Sequence, residues 1–224
     1  MQWHLPENET FVSENLPHPC VHLVYESQNT ALYGPIKGHF KKQLSGQGCA
    51  IGCRFKPGLF YPWIQQPVSK IAGQQLDAST ILPINSNELE AQLHQAPGIE
   101  ESVAVFTNIL NKRLPHIGNN SEPACLANRI VMAMEDHPEL QRVEQVCACF
   151  HMNGRQLERL FYKYVGLTPK WVLRIYRLQQ LANEIVNGRN IDWSDLALRL
   201  GYFDQAHCIR DFKQITGKTP SSYQ

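Results

Sequence analysis

The last third of the chain repeats itself. Phe161, Gly166, Thr168 and Pro169 recur as Phe212, Gly217, Thr219 and Pro220, at one common offset of about fifty residues. The match continues upstream, where Val146, Cys147 and Phe150 answer Leu196, Ala197 and Leu200, followed by His151-Met152 against Gly201-Tyr202. Each copy reads as helix, tight turn, helix and stop, so this region must fold as two copies of one helical module.

A chain of 224 residues has room for two modest domains, and its balance of apolar and charged residues is that of a soluble globular protein. No apolar run approaches the ~18 residues of a membrane span, and the N-terminus lacks the basic-then-apolar pattern of a secretory signal. The cytoplasm is the default location. The seven cysteines are odd in number and sit in apolar patterns, with Cys147, Cys149 and Cys208 in predicted helices and Cys20, Cys49 and Cys53 in or beside predicted strands. They read as reduced, small hydrophobes. A net charge of +1 excludes an extended polybasic tail but not a local basic face.

Up to about residue 85 the pattern is strand-like. Val21 to Tyr25, Ala31 to Tyr33 and Cys49 to Phe55 are short apolar runs, punctuated at Gly34-Pro35, Gly46, Gly48 and Pro57-Gly58. The chain begins close to its first such run, which leaves room for a strand supplied upstream or by a partner. Between residues 88 and 115, Leu89 and Leu93, then Val103, Phe106, Ile109 and Leu110, predict two short helices. The small, polar stretch around Gly118-Asn119-Asn120-Ser121 reads as a linker. Beyond it, Leu126, Ala127, Ile130, Val131 and Met134 form one buried helical stripe, and Trp171, Ile175, Leu178, Ala182 and Ile185 a second. Thr168-Pro169 is a helix start, a cap followed by proline in the first turn, and Thr219-Pro220 repeats it. The expected class is α+β: a β-rich regulatory domain over 1–115, a linker over 116–123 and an all-helical domain over 124–224.

Within the helical domain the paired helices fit a helix-turn-helix, in which a support helix presents a second helix to the DNA major groove. The first motif covers about 142–165. Val143, Val146 and Cys147 face its core, Asn153 caps the second helix, and Leu157, Leu160 and Phe161 point inward. Arg155, Gln156, Glu158 and Arg159 point outward, and Arg and Gln suit guanine and adenine edges. The second motif covers about 192–216. Leu196, Ala197 and Leu200 anchor it, Asp204 begins the exposed helix, and Gln205, Ala206, His207, Ile209 and Arg210 form the outward set. The connector over 168–187 would span roughly 28 Å at 1.5 Å per residue, close to the ~34 Å between successive major grooves on one DNA face. It acts as a ruler.

The set Arg155, Leu157, Arg159 and Phe161, then Gly166 to Lys170, Arg174, Arg177-Leu178, Leu196-Ala197, Gly201-Tyr202, Gln205, Arg210, Phe212, Gly217 and Pro220 resembles the two-copy helix-turn-helix domain of the AraC/XylS transcriptional regulators. Gly34-Pro35, Gly48, Gly52 and Arg54 to Gly58 resemble a sensor-like N-terminal domain found in a subset of them. The resemblance implies double-stranded DNA as partner, a small-molecule effector and a contact with RNA polymerase; a homodimer is left open. His151 stands where glycine is common in the first turn, and Cys208 where an aromatic often packs.

Nothing in the sequence implies a cofactor or a metal. With no Ser/His/Asp order, phosphate-cradling glycine loop or HExxH, the chain reads as a non-enzyme. Two alternatives stay open. One is an Ada-like repair regulator with a zinc-bound, methyl-accepting cysteine, although Cys49 and Cys53 lack a downstream C-x2-C. The other is a metal or redox sensor built on Cys49, Cys53 and His39. A metabolite pocket lined by Phe55, Phe60, Tyr61 and Trp63 competes with their use as a β-domain core.

Overall fold

The computed structural model of the chain describes residues 1–26, 29–82, 85–113, 122–188 and 192–223. Its N-terminal half contains β1 (Gln2–His4), β2 (Thr10–Asn15), β3 (His22–Glu26), β4 (Asn29–Tyr33), β5 (Phe40–Ser45), β6 (Gln47–Arg54), the single turn α1 (Tyr61–Ile64) and β7 (Gln75–Asp77), followed by α2 (Ser86–His94) and α3 (Ile99–Arg113). Strands β1, β6, β3, β4 and β7, in that order, make an antiparallel sheet, and β2 pairs with β5 in a separate two-stranded sheet.

Alternation sorts the five-stranded sheet into two faces. Leu23 opposite Cys53 and Tyr25 opposite Ile51 put one set of side chains into a core closed by Leu89 and Leu93 of α2 and Phe106 and Leu110 of α3. Phe60 is buried in that core, with Phe55 edge-on to it at 4.7 Å and Trp63 6.0 Å from Phe55. Of the four aromatics weighed as pocket lining or core, Phe60 is a core residue, and Phe55, Tyr61 and Trp63 pack against that core partly buried, as do Cys49 and Cys53 beside Ile51. Val103, expected on the buried side of its helix, is exposed, because Phe106 and Leu110 carry that face.

The C-terminal half is helical: α4 (Glu122–Asp136), α5 (Val143–Cys149), α6 (Gly154–Tyr164), α7 (Pro169–Asn187), α8 (Trp193–Arg199) and α9 (Gln205–Thr216). The expected linker lies outside the described residues as far as Ser121, and its last two positions, Glu122 and Pro123, open α4. Two cores share α7. Val172, Leu173, Ile175 and Tyr176 of its first half pack with α4, α5 and α6, whereas Leu178, Leu181, Ala182 and Ile185 of its second half pack with α8 and α9. Its 19 residues give roughly 28 Å of continuous helix. Thr168 caps it by accepting from Trp171 N–H at 3.3 Å. The matching signal at Thr219-Pro220 opens only one short 3-10 turn, where Thr219 Oγ1 is within hydrogen-bond distance of the Ser221 and Ser222 hydroxyls and Ser222 Oγ donates to the Thr219 carbonyl at 3.0 Å.

The repeat offset is not uniform. Phe161 and Phe212 are 51 positions apart, whereas Val146 and Leu196, like His151 and Gly201, are 50 apart. The two turns superimpose in backbone type, since His151 (φ 50) and Gly201 (φ 75) both adopt the left-handed conformation. Glycine enters that region without a Cβ clash and histidine does not. One residue is therefore inserted between Gly201 and the second exposed helix, and the caps, Asn153 and Asp204, locate it at Phe203.

Candidate nucleic-acid interface

In the first motif, Gln145 Oε1 accepts from Arg142 N–H at 2.9 Å and starts α5. Helix α6 starts with a reciprocal cap: Asn153 Oδ1 accepts from Gln156 N–H and Gln156 Oε1 accepts from Asn153 N–H, each at 2.9 Å. Leu157 and Phe161 are fully buried, which turns Arg155, Gln156, Glu158 and Arg159 outward. The four do not share one setting. Arg155 and Arg159 sit one turn apart and are both exposed, Arg159 beside Gln156 at a hollow also lined by Pro123 and Lys163. The Gln156 carboxamide oxygen serves the cap, and Glu158 lies beside a cleft against the N-terminal half that is also lined by Lys37, Ser69 and Thr168.

In the second motif, Asp192 caps α8 through Ser194 N–H (2.9 Å) and Asp195 N–H (3.1 Å), and Asp204 caps α9 through His207 N–H (2.6 Å). Cys208, Phe212 and Ile215 are buried, so cysteine fills the place of an aromatic as a smaller core residue, and burial pushes its thiol up to about 11. Ala206, His207 and Arg210 are exposed, while Gln205 and Ile209 are half-buried. The His207 ring stands edge-on to Tyr202, centroids 5.2 Å apart.

A polar network that the sequence did not reveal ties the motifs to the connector. Arg174 Nε of α7 donates to Asp211 Oδ1 of α9 at 2.6 Å, Arg174 Nη2 donates to Gln214 Oε1 at 2.6 Å and also pairs with Asp211, and Tyr202 Oη donates to Asp211 Oδ2 at 3.0 Å. The Arg174 guanidinium stacks on Trp171 at 4.3 Å, and Arg177 lies over the Tyr202 ring at 4.9 Å. Arg177 also donates to the Gln141 carbonyl at 3.0 Å, while Gln141 Nε2 donates to the Arg199 carbonyl at 2.7 Å, linking the entry to α5 with the end of α8. Burial, with the Asp211 carboxylate beside it, raises the Tyr202 phenol and keeps it a donor. Arg174 and Arg177, which carried only a resemblance in the sequence, join elements up to 40 residues apart.

The N-terminal half touches both motifs. Tyr61 packs on Tyr164 at 4.7 Å with Lys163 over its ring, Val68 lies against Gly166, and Lys37 reaches over Trp171 at 5.9 Å. At the other end, His39 N–H donates to the Ile215 carbonyl at 3.2 Å and Glu14 bridges Lys41 (2.9 Å) and Lys218 (2.8 Å). Those two lysines hold the Glu14 carboxyl down to about 2. His39 is thus engaged with α9, and among the described residues no three His, Cys, Asp or Glu side chains group to hold a metal.

A cavity of about 390 Å³ lies between the two sheets, on the face of β3 opposite the core. His22, Val24 and Glu26 of β3, Arg54 of β6 and Phe40, Lys42 and Leu44 of β5 line it, with Leu16, Pro17 and His18 at one end. Burial, reinforced by His18 and Arg54, lowers His22 to about 4, and burial pushes the Cys20 thiol up to about 12. Both are neutral near pH 7, and Cys20 Sγ meets His22 Nε2 at 3.2 Å. Gln179 of α7 donates to the Pro17 carbonyl at 2.8 Å and contacts His18 Nδ1 at 3.2 Å, so the wall of the cavity is hydrogen-bonded to the connector. The alternation of His22, Val24 and Glu26 against Leu23 and Tyr25 was the sequence signal for this second face.

Residues 146–224 match the family model described as a helix-turn-helix domain, and residues 1–77 match a domain of unknown function, DUF6597. Residues 146–224 of the C-terminal half therefore form a helix-turn-helix domain. Among solved structures, the chain is similar to ToxT from Vibrio cholerae, at 11% identity over 96% of this chain and 93% of that one, with a TM-score of 0.46. It is also similar to unsaturated fatty acid bound wild-type ToxT from Vibrio cholerae strain SCE256, at 10% identity over 100% and 96% of the two chains, with a TM-score of 0.42. No curated protein matches it. No helix among the described residues is long and apolar enough to cross a membrane.

Proposed function

We propose that the chain is a sequence-specific, non-enzymatic transcription regulator that lays α6 and α9 into adjacent major grooves on one face of the duplex, with residues 124–224 as reading head and residues 1–115 as regulatory domain. The observation that carries this reading is the joint presentation of two capped, outward-facing helices on one unbroken connector, cross-braced by Arg174 and Asp211. Arg155 and Arg159 on α6 and Arg210 on α9 serve as the main contacts, joined by Gln205, Ala206, His207 and Ile209. Gln156 and Glu158 are secondary, the first because its oxygen is spent on a cap and the second because it borders the cleft.

Selection from a randomised DNA pool tests this reading. It predicts two preferred blocks about 10 base pairs apart. Arg155→Ala relaxes one position in one block and Arg210→Ala one position in the other, each at a cost of ~1–3 kcal/mol. Equal loss on every sequence demotes that arginine to a phosphate contact, and a single block refutes the two-groove reading.

The cavity supports modulation by a small molecule, since its volume falls in the range of ligand sites and its Pro17–His18 wall is bonded to Gln179. An effector there would shift the hold of the N-terminal half on α7 and thereby the DNA affinity. Contact with RNA polymerase, self-association and a cytoplasmic setting belong to the same reading. A thermal-shift screen with metabolites, repeated on Arg54→Ala, tests the sensory part; a ligand that stabilises both proteins equally binds elsewhere.

A further inference from the structure

Phe203 is the residue by which the second turn exceeds the first, and it is 86% exposed, more than any other large apolar side chain among the described residues. The core does not use it. Tyr202, the counterpart of Met152, fills the buried position with its hydroxyl on Asp211, so the extra residue is forced outward. It immediately precedes the Asp204 cap and would ordinarily fold back on the fourth residue of the helix, as in a hydrophobic staple. That residue is Cys208, which is buried on the opposite side. An inserted, unstapled aromatic at the leading end of α9 stands beside Ala206 and His207, both exposed.

We propose that Phe203 is a specificity-determining residue that packs its ring on the C5-methyl group of a thymine at the edge of the half-site read by α9. The leading end of the second helix of such a motif enters the major groove first, and the thymine methyl is the apolar feature that groove presents. Ala206 extends the same apolar surface, whereas Arg210, lying farther along α9, supplies the polar contact. This rests on the reading that α9 enters the groove.

The test uses the full chain and its selected DNA site, with each thymine of the α9 half-site replaced in turn by deoxyuridine, which removes only the methyl. For the wild-type protein one replacement weakens binding about fourfold, the effect of burying one methyl group. For Phe203→Ala, which should keep the wild-type melting temperature because the ring touches no core, that replacement has no effect; Phe203→Leu retains part of it. Identical deoxyuridine profiles for wild type and Phe203→Ala overturn the proposal. So does a uniform loss on all sequences, which indicates backbone packing, or a change in oligomeric state, which indicates a contact between copies. A wild-type protein with no preferred α9 half-site would instead refute the groove reading itself.

Discussion

Removing the Asp211 carboxylate should loosen the two motifs from each other without unfolding either. Asp211 and Arg174 side chains are 11% and 19% exposed, so the pair is mostly shielded from water. In Asp211→Ala, Arg174 keeps Gln214 as acceptor but loses its counter-charge, and Tyr202 Oη loses its partner at a largely buried position. A hydrogen bond to a charged group contributes ~1.5–3 kcal/mol, and residual exposure discounts the ion pair. Together these give a cost of about 2–3 kcal/mol, or ~4–12 °C in melting temperature for a chain of this size. Asp211→Asn should cost about half as much, because the amide still accepts from Arg174 and the tyrosine hydroxyl can reverse its role. Denaturant titration of wild type, Asp211→Ala, Arg174→Met and the double variant measures the coupling. A coupling of ~1–2 kcal/mol is expected. Near-additive losses, below ~0.5 kcal/mol of coupling, would show that the network is not a brace. The same variants should tolerate altered half-site spacing better than wild type does.

Two further outcomes follow from single sites and a third from a truncation. His151→Gly should stabilise the chain by ~0.5–1 kcal/mol, since φ 50 strains a side chain and not glycine; a lower denaturation midpoint would mean that the imidazole makes a compensating contact. On acidification, His22, held down at about 4 in the folded state against 6.5 in a free chain, takes up its proton more readily when unfolded. Stability from this group is present above pH 6.5 and lost as pH falls towards 4, and His22→Gln should flatten that part of the pH–stability curve. Residues 122–224 expressed alone should give a helical circular-dichroism spectrum and retain specific DNA binding, while losing any response to an effector; a fragment that folds but ignores DNA would refute an autonomous reading head.

The helical half was legible in sequence because its signals are local: caps at Asn153, Thr168 and Asp204, apolar spacing along α7, and the repeat itself. The β-half was legible only where strands have a strong apolar face, as in β3 and β6. Strand β2 places Phe11 and Val12 on the outside and β5 interleaves lysines, so neither shows an apolar period, and the three-residue β1 and β7 are too short to show one. The cavity followed from that gap, because one of its walls, with Ser13, Asn15, Phe40, Lys42 and Leu44, comes from the unread β2–β5 pair. The Arg174 network was illegible for a different reason. Its members are separated by up to 40 residues, and only packing α9 on α7 brings them together. Phe203 was hidden by treating the repeat offset as constant.

The central claim is that one chain reads two adjacent grooves as a rigid unit, and half-site spacing tests it most directly. Affinity should fall as salt rises, since basic side chains displace counterions from phosphates, so the comparison is made at one fixed ionic strength. Footprinting and titration on the selected site, and on the same site with five base pairs inserted between the halves, should show binding weakened sharply and one half unprotected. A ten-base-pair insertion should not restore it, because the ~34 Å added between grooves exceeds what a connector of roughly 28 Å can span. Unchanged affinity and full protection of both halves after the five-base-pair insertion would contradict the account.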